Sequence, residues 1–415
     1  MKRLLYWLLL LAPFKALAID IDQQLDLVIK LYGLSSLPAS CQPKPLSSEK
    51  APLLEAGEIL FNSSILSGDN DTSCSVCHLN DKHLTDGLPI AAGIGRDSAH
   101  GNAITSSTVL VPRNAFTLFG RDSPEFNTFF WDGKVLEQDG EIYSPIGNGY
   151  KLGFESALAV AAILPLLARD EFLGKQSYFD STAHFDSINE QYYDSKFQAA
   201  NGVISNILAN QDDANINALK AAFTKAEIYS PTLADVGNAL ASFIGKLNDA
   251  CPISSWESYI QGNTDALSEE QKRGAIIFFG KGRCSGCHTT NLFSDFQYHS
   301  LGVPQGQFGP YIHSQDVGRA GVTYLPEDRY KFRTPPLIGV SLTAPYGHNG
   351  MFAGLRDIVQ FHINPIPFLS TYQWSGERER LTYGKLLSSR SPMLGYITIE
   401  SEEELDALIA YLEAL

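Results

Sequence analysis

The sequence has few charged side chains, and cations are the minority among them. Charged residues make up 19% of its 415 positions, with 31 Lys and Arg against 46 Asp and Glu and a formal net charge of −15. Nucleic acid is therefore a poor partner, because binding to phosphates requires clustered cations. Long like-charge runs and low-complexity segments are also missing, which excludes a globally disordered chain. This composition suits a soluble protein or one with a basic partner.

Long apolar runs are scarce, and the one at the N-terminus is short. Lys2 and Arg3 precede the apolar residues 4–14, and the small residues of Ala16-Leu-Ala follow. This pattern predicts a signal peptide over residues 1–18, removed on export to the periplasm. A membrane anchor is the alternative, disfavoured because a span requires about 20 apolar residues. No later segment is long and apolar enough to span a membrane.

The cysteines are few but regularly placed. Four of the six lie in two Cys-x-x-Cys-His units, at residues 74–78 and 284–288. Positions i, i+3 and i+4 share one face of a helical turn. Both thiols can therefore reach the two vinyl groups of a haem while the imidazole lies under its iron, whereas a redox Cys-x-x-Cys or half a zinc site leaves the histidine unexplained. The units predict two covalently bound haem c groups, held by Cys74, Cys77, His78, Cys284, Cys287 and His288.

Two cysteines, Cys41 and Cys251, remain outside these units. In an oxidising compartment an even remainder indicates one disulfide, which would tie the N-terminal segment to the linker between the haem units. Two unpaired buried thiols are the alternative. In either case we expect a structural role.

The surroundings of the two haem units repeat. A segment with helical apolar periodicity precedes each unit, at 55–61 and 272–278, and another closes each, at 232–247 and 401–415. Residues 268–271, Ser-Glu-Glu-Gln, predict a capping box at the start of one of these helices. A helix before and a helix after a haem loop is the cytochrome c plan, used here twice.

We therefore expect a mainly α fold, in which two tandem cytochrome c-like haem domains carry long loops and little strand. An N-terminal lead segment spans 19–48, and a linker spans 249–265. The first domain covers 49–248 and the second covers 266–415. Residues of about 170–228 form a polar, partly helical insertion in the first domain, to which the sequence assigns no chemistry.

Four further stretches resemble those of a known family. Residues 130–134, Phe-Trp-Asp-Gly-Lys, are similar to its Phe-Trp-Asp-Gly-Arg stretch. Residues 332–337 and 342–350 are similar to its signature in the second domain, and 293–304 matches the stretch that follows its second haem. Over residues 50–415, apart from the insertion, the chain resembles the bacterial di-haem cytochrome c peroxidases and their relative MauG.

The resemblance implies that Trp131 relays electrons between the haems, because an indole can be oxidised in transit; a packing tryptophan is the alternative. The histidines of the two units become the proximal ligands. Where the family places a methionine or tyrosine opposite the second haem, this sequence has His362. Met351 or Met393, another residue or an open site are the alternatives. A second imidazole would favour ferric iron, whereas a thioether favours ferrous iron.

By the same resemblance, the first haem binds peroxide at an open sixth position. The family uses a glutamine and a glutamate after the tryptophan to move a proton as the O–O bond breaks. Glu141 and Lys151 stand at these positions, so Glu141 is the expected acid–base group. The alternative is that this is not a peroxidase site. His100 would either close the resting site or lie at the surface.

A calcium ion between the domains is also implied by the resemblance. Asn114 would contribute its side-chain oxygen, and Thr343 and Pro345 their backbone carbonyls, which are donors that suit Ca²⁺. An asparagine in a turn and a proline-containing loop are the alternative interpretation. His348 is expected to hold a propionate or a backbone group near the second haem.

Three functions remain open. The first is a periplasmic peroxidase that reduces hydrogen peroxide with electrons from a small cytochrome c or cupredoxin. The second is a MauG-like enzyme that oxidises side chains of a partner protein, and the third is a non-enzymatic di-haem electron carrier. We favour a peroxide-using di-haem oxidoreductase, and a homodimer is left open.

Overall fold

The computed structural model describes residues 20–36, 51–68, 70–96, 104–174, 193–209, 213–247, 254–306, 315–374 and 376–415. The predicted signal peptide, Cys41, His100 and Cys251 lie outside these ranges. Helices and short turns predominate within them, which confirms the expected mainly α fold. No helix among the described residues is long and apolar enough to cross a membrane.

The regular elements are named here in chain order. The helices up to residue 247 are α1 (Ile21–Tyr32), α2 (Ala51–Asn62), α3 (Ala157–Ile163), α4 (Tyr193–Ala209), α5 (Ala214–Lys225) and α6 (Leu233–Leu247). Those that follow are α7 (Ser255–Ile260), α8 (Glu269–Phe279), α9 (Ala320–Thr323), α10 (Leu355–Ile363), α11 (Ile366–Thr371), α12 (Glu377–Ser388) and α13 (Glu402–Leu412). The described strands form two small antiparallel sheets, one of β1 (Thr128–Phe129), β2 (Val135–Gln138) and β3 (Glu141–Tyr143), the other of β4 (Tyr298–His299) and β5 (Phe332–Arg333).

Each domain is organised by one pair of closely packed helices, α2 with α6 and α8 with α13. A glycine lies at each crossing. A Cβ on Gly57 would lie 2.0 Å from the carbonyl oxygen of Ala239, and a Cβ on Gly274 would lie 1.9 Å from that of Ala407. Only glycine permits so close a backbone approach. The two domains therefore use the same packing device at the same place.

The helix starts follow the capping signals in the sequence. The Ser268 hydroxyl accepts from the Gln271 backbone N–H at 3.2 Å, and the Gln271 side chain accepts from the Ser268 N–H at 2.8 Å, which confirms the predicted capping box of α8. The Ser401 hydroxyl likewise accepts from the Glu404 N–H at 3.3 Å, at the start of α13. These bonds satisfy N–H groups that the first helical turn leaves unpaired.

The lead helix α1 packs on the second domain, although it precedes the first in the chain. Lys272 on α8 pairs with Asp22 at 2.9 Å. The Tyr32 ring lies 5.0 Å from that of Phe279, and its hydroxyl accepts from Ser285 in the second haem unit at 3.0 Å. This helix therefore supports the loop that carries the second haem-attachment motif.

The described part of the insertion belongs to the first domain. It begins in a π-helical turn, Arg169–Leu173, and continues in α4 and α5. Apolar side chains of α4 and α5 join the core of that domain; they are Phe197, Ile204, Leu219 and Phe223. Lys225 of the insertion lies at the surface and pairs with Glu55 on α2 at 2.9 Å.

The stretch around Trp131 binds the two domains to each other through its backbone. The Arg333 N–H donates to the Trp131 carbonyl oxygen at 2.7 Å. The Arg319 guanidinium donates to the carbonyls of Asp132 and Gly133 at 2.9 and 2.7 Å. Three backbone acceptors in a row thus orient this stretch against the second domain.

A buried ion-pair network joins the domains beside this stretch. Arg113 of the first domain binds Asp316 of the second through two hydrogen bonds of 2.8 and 2.9 Å, and Asp132 at 2.7 Å. Burial alone would raise the pKa of Asp316, but the hydrogen bonds and charge of Arg113 lower it. Asp316 therefore stays ionised, and the pair acts as a charged clamp between the domains.

Candidate functional site

The first haem unit opens on a 3₁₀ turn, Cys74–Val76, that follows α2. The His78 N–H donates to the Cys74 carbonyl at 3.0 Å, which closes a helical turn. Both thiols and the imidazole line one cavity of about 1250 Å³, including its opening. Its walls are largely apolar, with Phe61, Phe129, Leu158, Phe172, Leu240 and Ile244 among them.

The second haem unit repeats this arrangement on the turn Cys284–Gly286, where the His288 N–H donates to the Cys284 carbonyl at 2.9 Å. Its thiols and imidazole line a second cavity of about 1840 Å³, including its opening. Apolar residues predominate in these walls as well, among them Phe278, Leu301, Val303, Ile358, Leu386 and Leu408.

The imidazoles of both units are oriented in the same way. His78 Nδ1 lies 2.8 Å from the Leu84 carbonyl oxygen, and His288 Nδ1 lies 2.9 Å from that of Phe293. Because a carbonyl only accepts, Nδ1 carries the hydrogen and Nε2 keeps its lone pair. Burial lowers the pKa of both imidazoles to about 4, so both are neutral at pH 7. A neutral imidazole with a hydrogen-bonded second nitrogen is the form that ligates metals.

The thiols fit haem attachment better than redox or zinc chemistry. Burial raises the pKa of the Cys74, Cys77 and Cys284 thiols to about 12. A redox Cys-x-x-Cys pair requires a stabilised thiolate, and zinc binding requires a deprotonated one. Apolar cavities with two thiols and one oriented imidazole match the shape and chemistry of a covalently bound haem.

His362 on α10 lines the second cavity together with His288, as the sequence predicts. Its Nδ1–H donates to the Ile358 carbonyl oxygen at 2.7 Å, so its Nε2 is also free to ligate. Burial lowers the pKa of His362 as well. Met393 lines this cavity too, whereas Met351 is not among the residues that do. The described geometry therefore supplies a second histidine Nε2 at the second haem site.

Trp131 lines both cavities. Its indole N–H donates to the Asn114 carbonyl oxygen at 3.0 Å, and the Asn114 N–H donates to the His348 carbonyl at 2.9 Å. These bonds hold the ring between the two haem sites. The tryptophan that the sequence singles out thus lies where a bridge between them must lie.

Glu141 does not reach the first cavity. It opens strand β3, where Ile142 points into the core, and neighbouring side chains on a strand point to opposite sides. The Glu141 side chain is therefore 44% exposed and lies 3.8 Å from the Lys151 ammonium. The expected acid–base role of Glu141 has no support in this geometry, because strand alternation turns it toward solvent.

A different carboxyl group, that of Glu171, lines the first cavity. Burial raises its pKa, although the charge of Lys134, another residue of the cavity wall, acts in the opposite direction. The π-helical turn that carries Glu171 docks closely, because a Cβ on Gly93 would lie 1.9 Å from the Asp170 carbonyl oxygen. Sequence reasoning missed Glu171, since it lies in the insertion and no motif marks it.

The three predicted calcium-binding residues, Asn114, Thr343 and Pro345, line one cavity wall together. The Asn114 side-chain N–H donates to the Leu88 carbonyl at 2.7 Å, which leaves its oxygen available. Calcium itself stays a prediction. His348 also lines the second cavity, where its ring stacks on Phe332 at 3.7 Å between centroids.

The chain is similar in sequence to known di-haem proteins. A family model described as di-haem cytochrome c peroxidase matches residues 51–265. The cytochrome-c peroxidase IdrP2 of Denitromonas iodatirespirans is 28% identical over 386 residues, 88% of this chain and 82% of that protein. The methylamine utilization protein MauG of Methylophilus methylotrophus is 26% identical, with 79% and 76% covered. The cytochrome c551 peroxidase of Pseudomonas aeruginosa is 27% identical, with 76% and 72% covered.

Solved structures share the fold. A MauG-like protein associated with microbial copper homeostasis superposes with a TM-score of 0.57 at 22% identity, covering 92% of each chain. The diheme peroxidase BthA from Burkholderia thailandensis gives a TM-score of 0.54 at 18% identity, covering 92% and 89%. With the haem-attachment residues in place in both cavities, the chain belongs to the di-haem cytochrome c peroxidase family of haem oxidoreductases.

Proposed function

We propose that this protein is a periplasmic enzyme that reduces hydrogen peroxide at the first haem site, with electrons that a small redox protein delivers to the second. A cytochrome c or a cupredoxin is the expected donor. The position of Trp131 between the two cavities is the observation that carries the proposal. The net charge of −15 favours a donor with a basic surface.

Each unit would hold a haem through its two cysteine thiols, as thioethers, and through the Nε2 of its histidine. When bound, a haem supplies an iron that takes peroxide at an open position and exchanges electrons. The side chains around each unit decide which of the two sites is open.

The second cavity offers two histidines that could both ligate a haem iron. His288 and His362 each keep a lone pair on Nε2 there, and an iron held by both would have no position left for peroxide. In the first cavity, His78 is the only histidine among the described lining residues. Peroxide therefore binds in the first cavity, and the second serves electron transfer.

Proton movement in the first cavity falls to Glu171. Cleavage of the O–O bond requires a group that takes a proton from one oxygen and returns it to the other. Burial raises the pKa of Glu171, which makes its carboxyl easier to protonate, whereas the charge of Lys134 acts in the opposite direction. Glu171 thus supplies the cavity with a group that can carry a proton, and Lys134 supplies a positive charge.

Electrons pass from the second site to the first through Trp131. Its indole N–H is bonded to Asn114 and its carbonyl accepts from Arg333 at 2.7 Å, so both ends of the residue are held. Fixed orientation keeps the ring against both cavities. An indole is also more easily oxidised than a phenyl ring of similar size.

The test replaces Trp131 by Phe, which keeps most of the apolar volume but resists oxidation. We expect both haem spectra to survive and peroxide to be consumed slowly, while turnover of the reductant is lost. Stopped-flow spectra of the diferric protein mixed with hydrogen peroxide give the measurement. Trp374→Phe, outside both cavities, is the control and should behave as wild type. If Trp131→Phe turned over the reductant at the wild-type rate, electrons would have to reach the first haem site by a route that does not include Trp131.

A second candidate, oxidation of side chains on a partner protein, is favoured by His362. A second imidazole stabilises ferric iron, and this suits a haem that stores oxidising equivalents better than one that receives electrons from a donor. Peroxide added with and without a reduced cytochrome separates the two functions. Reoxidation of the cytochrome after peroxide is added would support the peroxidase. Oxygen added to the side chains of a partner protein, in the absence of the cytochrome, would support the alternative. A protein inert toward peroxide is an electron carrier.

A further inference from the structure

Two buried arginines lie beside the haem sites, and their side chains take no part in the function described above. Arg121 and Arg333 are each only 2% exposed. Arg121 lines both cavities, and Arg333 lines the second alone. Full burial of two cations is rare in a protein interior, since charged side chains are almost never buried without a partner.

Arg121 is held in place without a carboxylate. Its Nε–H donates to the Thr117 carbonyl at 2.8 Å, and its guanidinium carbon lies 4.4 and 4.3 Å from the ring centres of Phe116 and Phe126. Its Nη1 is buried and has no hydrogen-bond partner among the described residues. The ring contacts orient the cation but do not neutralise it.

Arg333 adds a second positive charge instead of compensating the first. Its Nε–H and Nη1–H donate to the carbonyls of Phe130 and Thr334 at 3.0 and 3.1 Å. Burial lowers the pKa of Arg121, and the charge of Arg333 lowers it further. No ion pair within the described ranges joins either arginine to a carboxylate.

Arg113, another arginine of the first cavity wall, has carboxylate partners. It pairs with Asp132 and Asp316 at 2.7 and 2.8 Å. Arg121, on the wall that the two cavities share, has no carboxylate partner among the described residues, whereas Arg333 is influenced by the charge of Asp132 without pairing with it. A buried charge without a partner is strongly destabilising, so the protein is expected to gain from an anion placed beside it.

A haem bound through thioethers still carries two propionate carboxylates, which its attachment does not consume. We propose that Arg121 and Arg333 supply the counter-charge for these carboxylates, and that Arg121 is shared by both haems. Reduction adds negative charge to a haem, so a nearby cation favours the reduced form. Arg121 then raises the midpoint potentials of both haems, and Arg333 raises that of the second.

The test is a spectroelectrochemical titration of the holoprotein, with two attached haems confirmed by mass. Arg121→Gln should lower both midpoint potentials, and Arg333→Gln should lower that of the second haem alone. Arg121→Lys keeps the positive charge, so its two midpoint potentials should lie closer to the wild-type values than those of Arg121→Gln. This rescue separates the loss of charge from a general disturbance of packing, which would affect both Arg121 variants alike.

Arg319→Gln is the matched control. Arg319 lies at the same domain junction and binds backbone carbonyls, but it lines neither cavity, so both potentials should stay unchanged. Unchanged potentials in Arg121→Gln would overturn the proposal, and a shift confined to one haem would overturn the sharing. If Arg121→Gln does not fold, Arg333→Gln and Arg121→Lys still decide whether these charges act on the haems. None of these measurements depends on a reaction with peroxide.

Discussion

The two haem cavities use one scaffold and differ in the polar groups that line it. In both, a glycine at a helix crossing precedes a Cys-x-x-Cys-His turn, and an Nδ1–H bonded to a carbonyl orients the histidine. The first cavity adds Glu171 and Lys134, and the second adds His362. The repeat therefore accounts for where a haem attaches, while segments outside the repeat supply the polar side chains in which the two cavities differ.

Glu171→Gln should have the largest effect on the first cavity. General acid–base groups contribute about 10²–10⁴-fold to rate, so the reaction with peroxide should slow by that order. Stopped-flow mixing of the diferric variant with hydrogen peroxide gives the rate. Glu141→Gln is the matched control and should react as wild type, because Glu141 points to solvent. A rate loss in Glu141→Gln instead would return the acid–base role to that residue.

His362→Ala should make the second cavity resemble the first. Loss of one axial imidazole converts one of the two ferric haems from low-spin to high-spin and leaves the other unchanged. Optical and electron paramagnetic resonance spectra report the conversion. Met393→Ala removes the other candidate ligand of this cavity and should change neither spectrum. The assignment fails if the His362 variant keeps the wild-type spectrum.

Asp316→Asn tests the clamp between the domains that carry the two cavities. Removing one partner of a buried pair should lower the free energy of unfolding by about 3 kcal/mol, measured by urea denaturation at pH 7. The folded-state pKa of Asp316 lies below its ordinary value of 3.8. Its contribution is therefore complete above pH 3.8 and is lost as the pH falls through the lower folded-state value.

In Asp316→Asn this part of the acid dependence should disappear, because an asparagine does not titrate. Asp26→Asn, which breaks the exposed pair with Lys30, is the control and should change stability by no more than about 0.5 kcal/mol. Equal effects of the two substitutions would show that the clamp contributes no more than a surface ion pair.

Gly57→Ala and Gly274→Ala test whether the two scaffolds are equivalent. Each added methyl group would meet a backbone carbonyl of the facing helix, and overpacking should cost about 1–3 kcal/mol in either domain. Thermal unfolding of the holoprotein measures both. On α4, an added Cβ at Gly202 would meet nothing within 4 Å. Gly202→Ala should therefore raise the free energy of unfolding by about 0.5–1 kcal/mol. If only one of the two substitutions Gly57→Ala and Gly274→Ala destabilised the holoprotein, the two helix crossings would not be equivalent.

Interpretation from the sequence succeeded where the signal is local. The capping box at Ser268 and the two haem-attachment units lie within five consecutive residues each, and the structure shows the expected geometry. It did not show that Glu141 lies outside the first cavity, because a family position states which residue is present but not which way a short strand turns it. Glu171, which does line that cavity, lies in a segment without periodicity or motif.

The sequence by itself determined the chemistry of attachment, since a thiol pair and a histidine at fixed spacing need only one helical turn to meet a haem. It also determined the helices that frame each site, through apolar periodicity and caps. Only the tertiary structure decided that α1 supports the second haem loop and that Glu171 enters the first cavity. It also decided that Trp131 and Arg121 lie between the two cavities. Those contacts join residues far apart in the chain, and their positions depend on how whole domains pack, which no local pattern encodes.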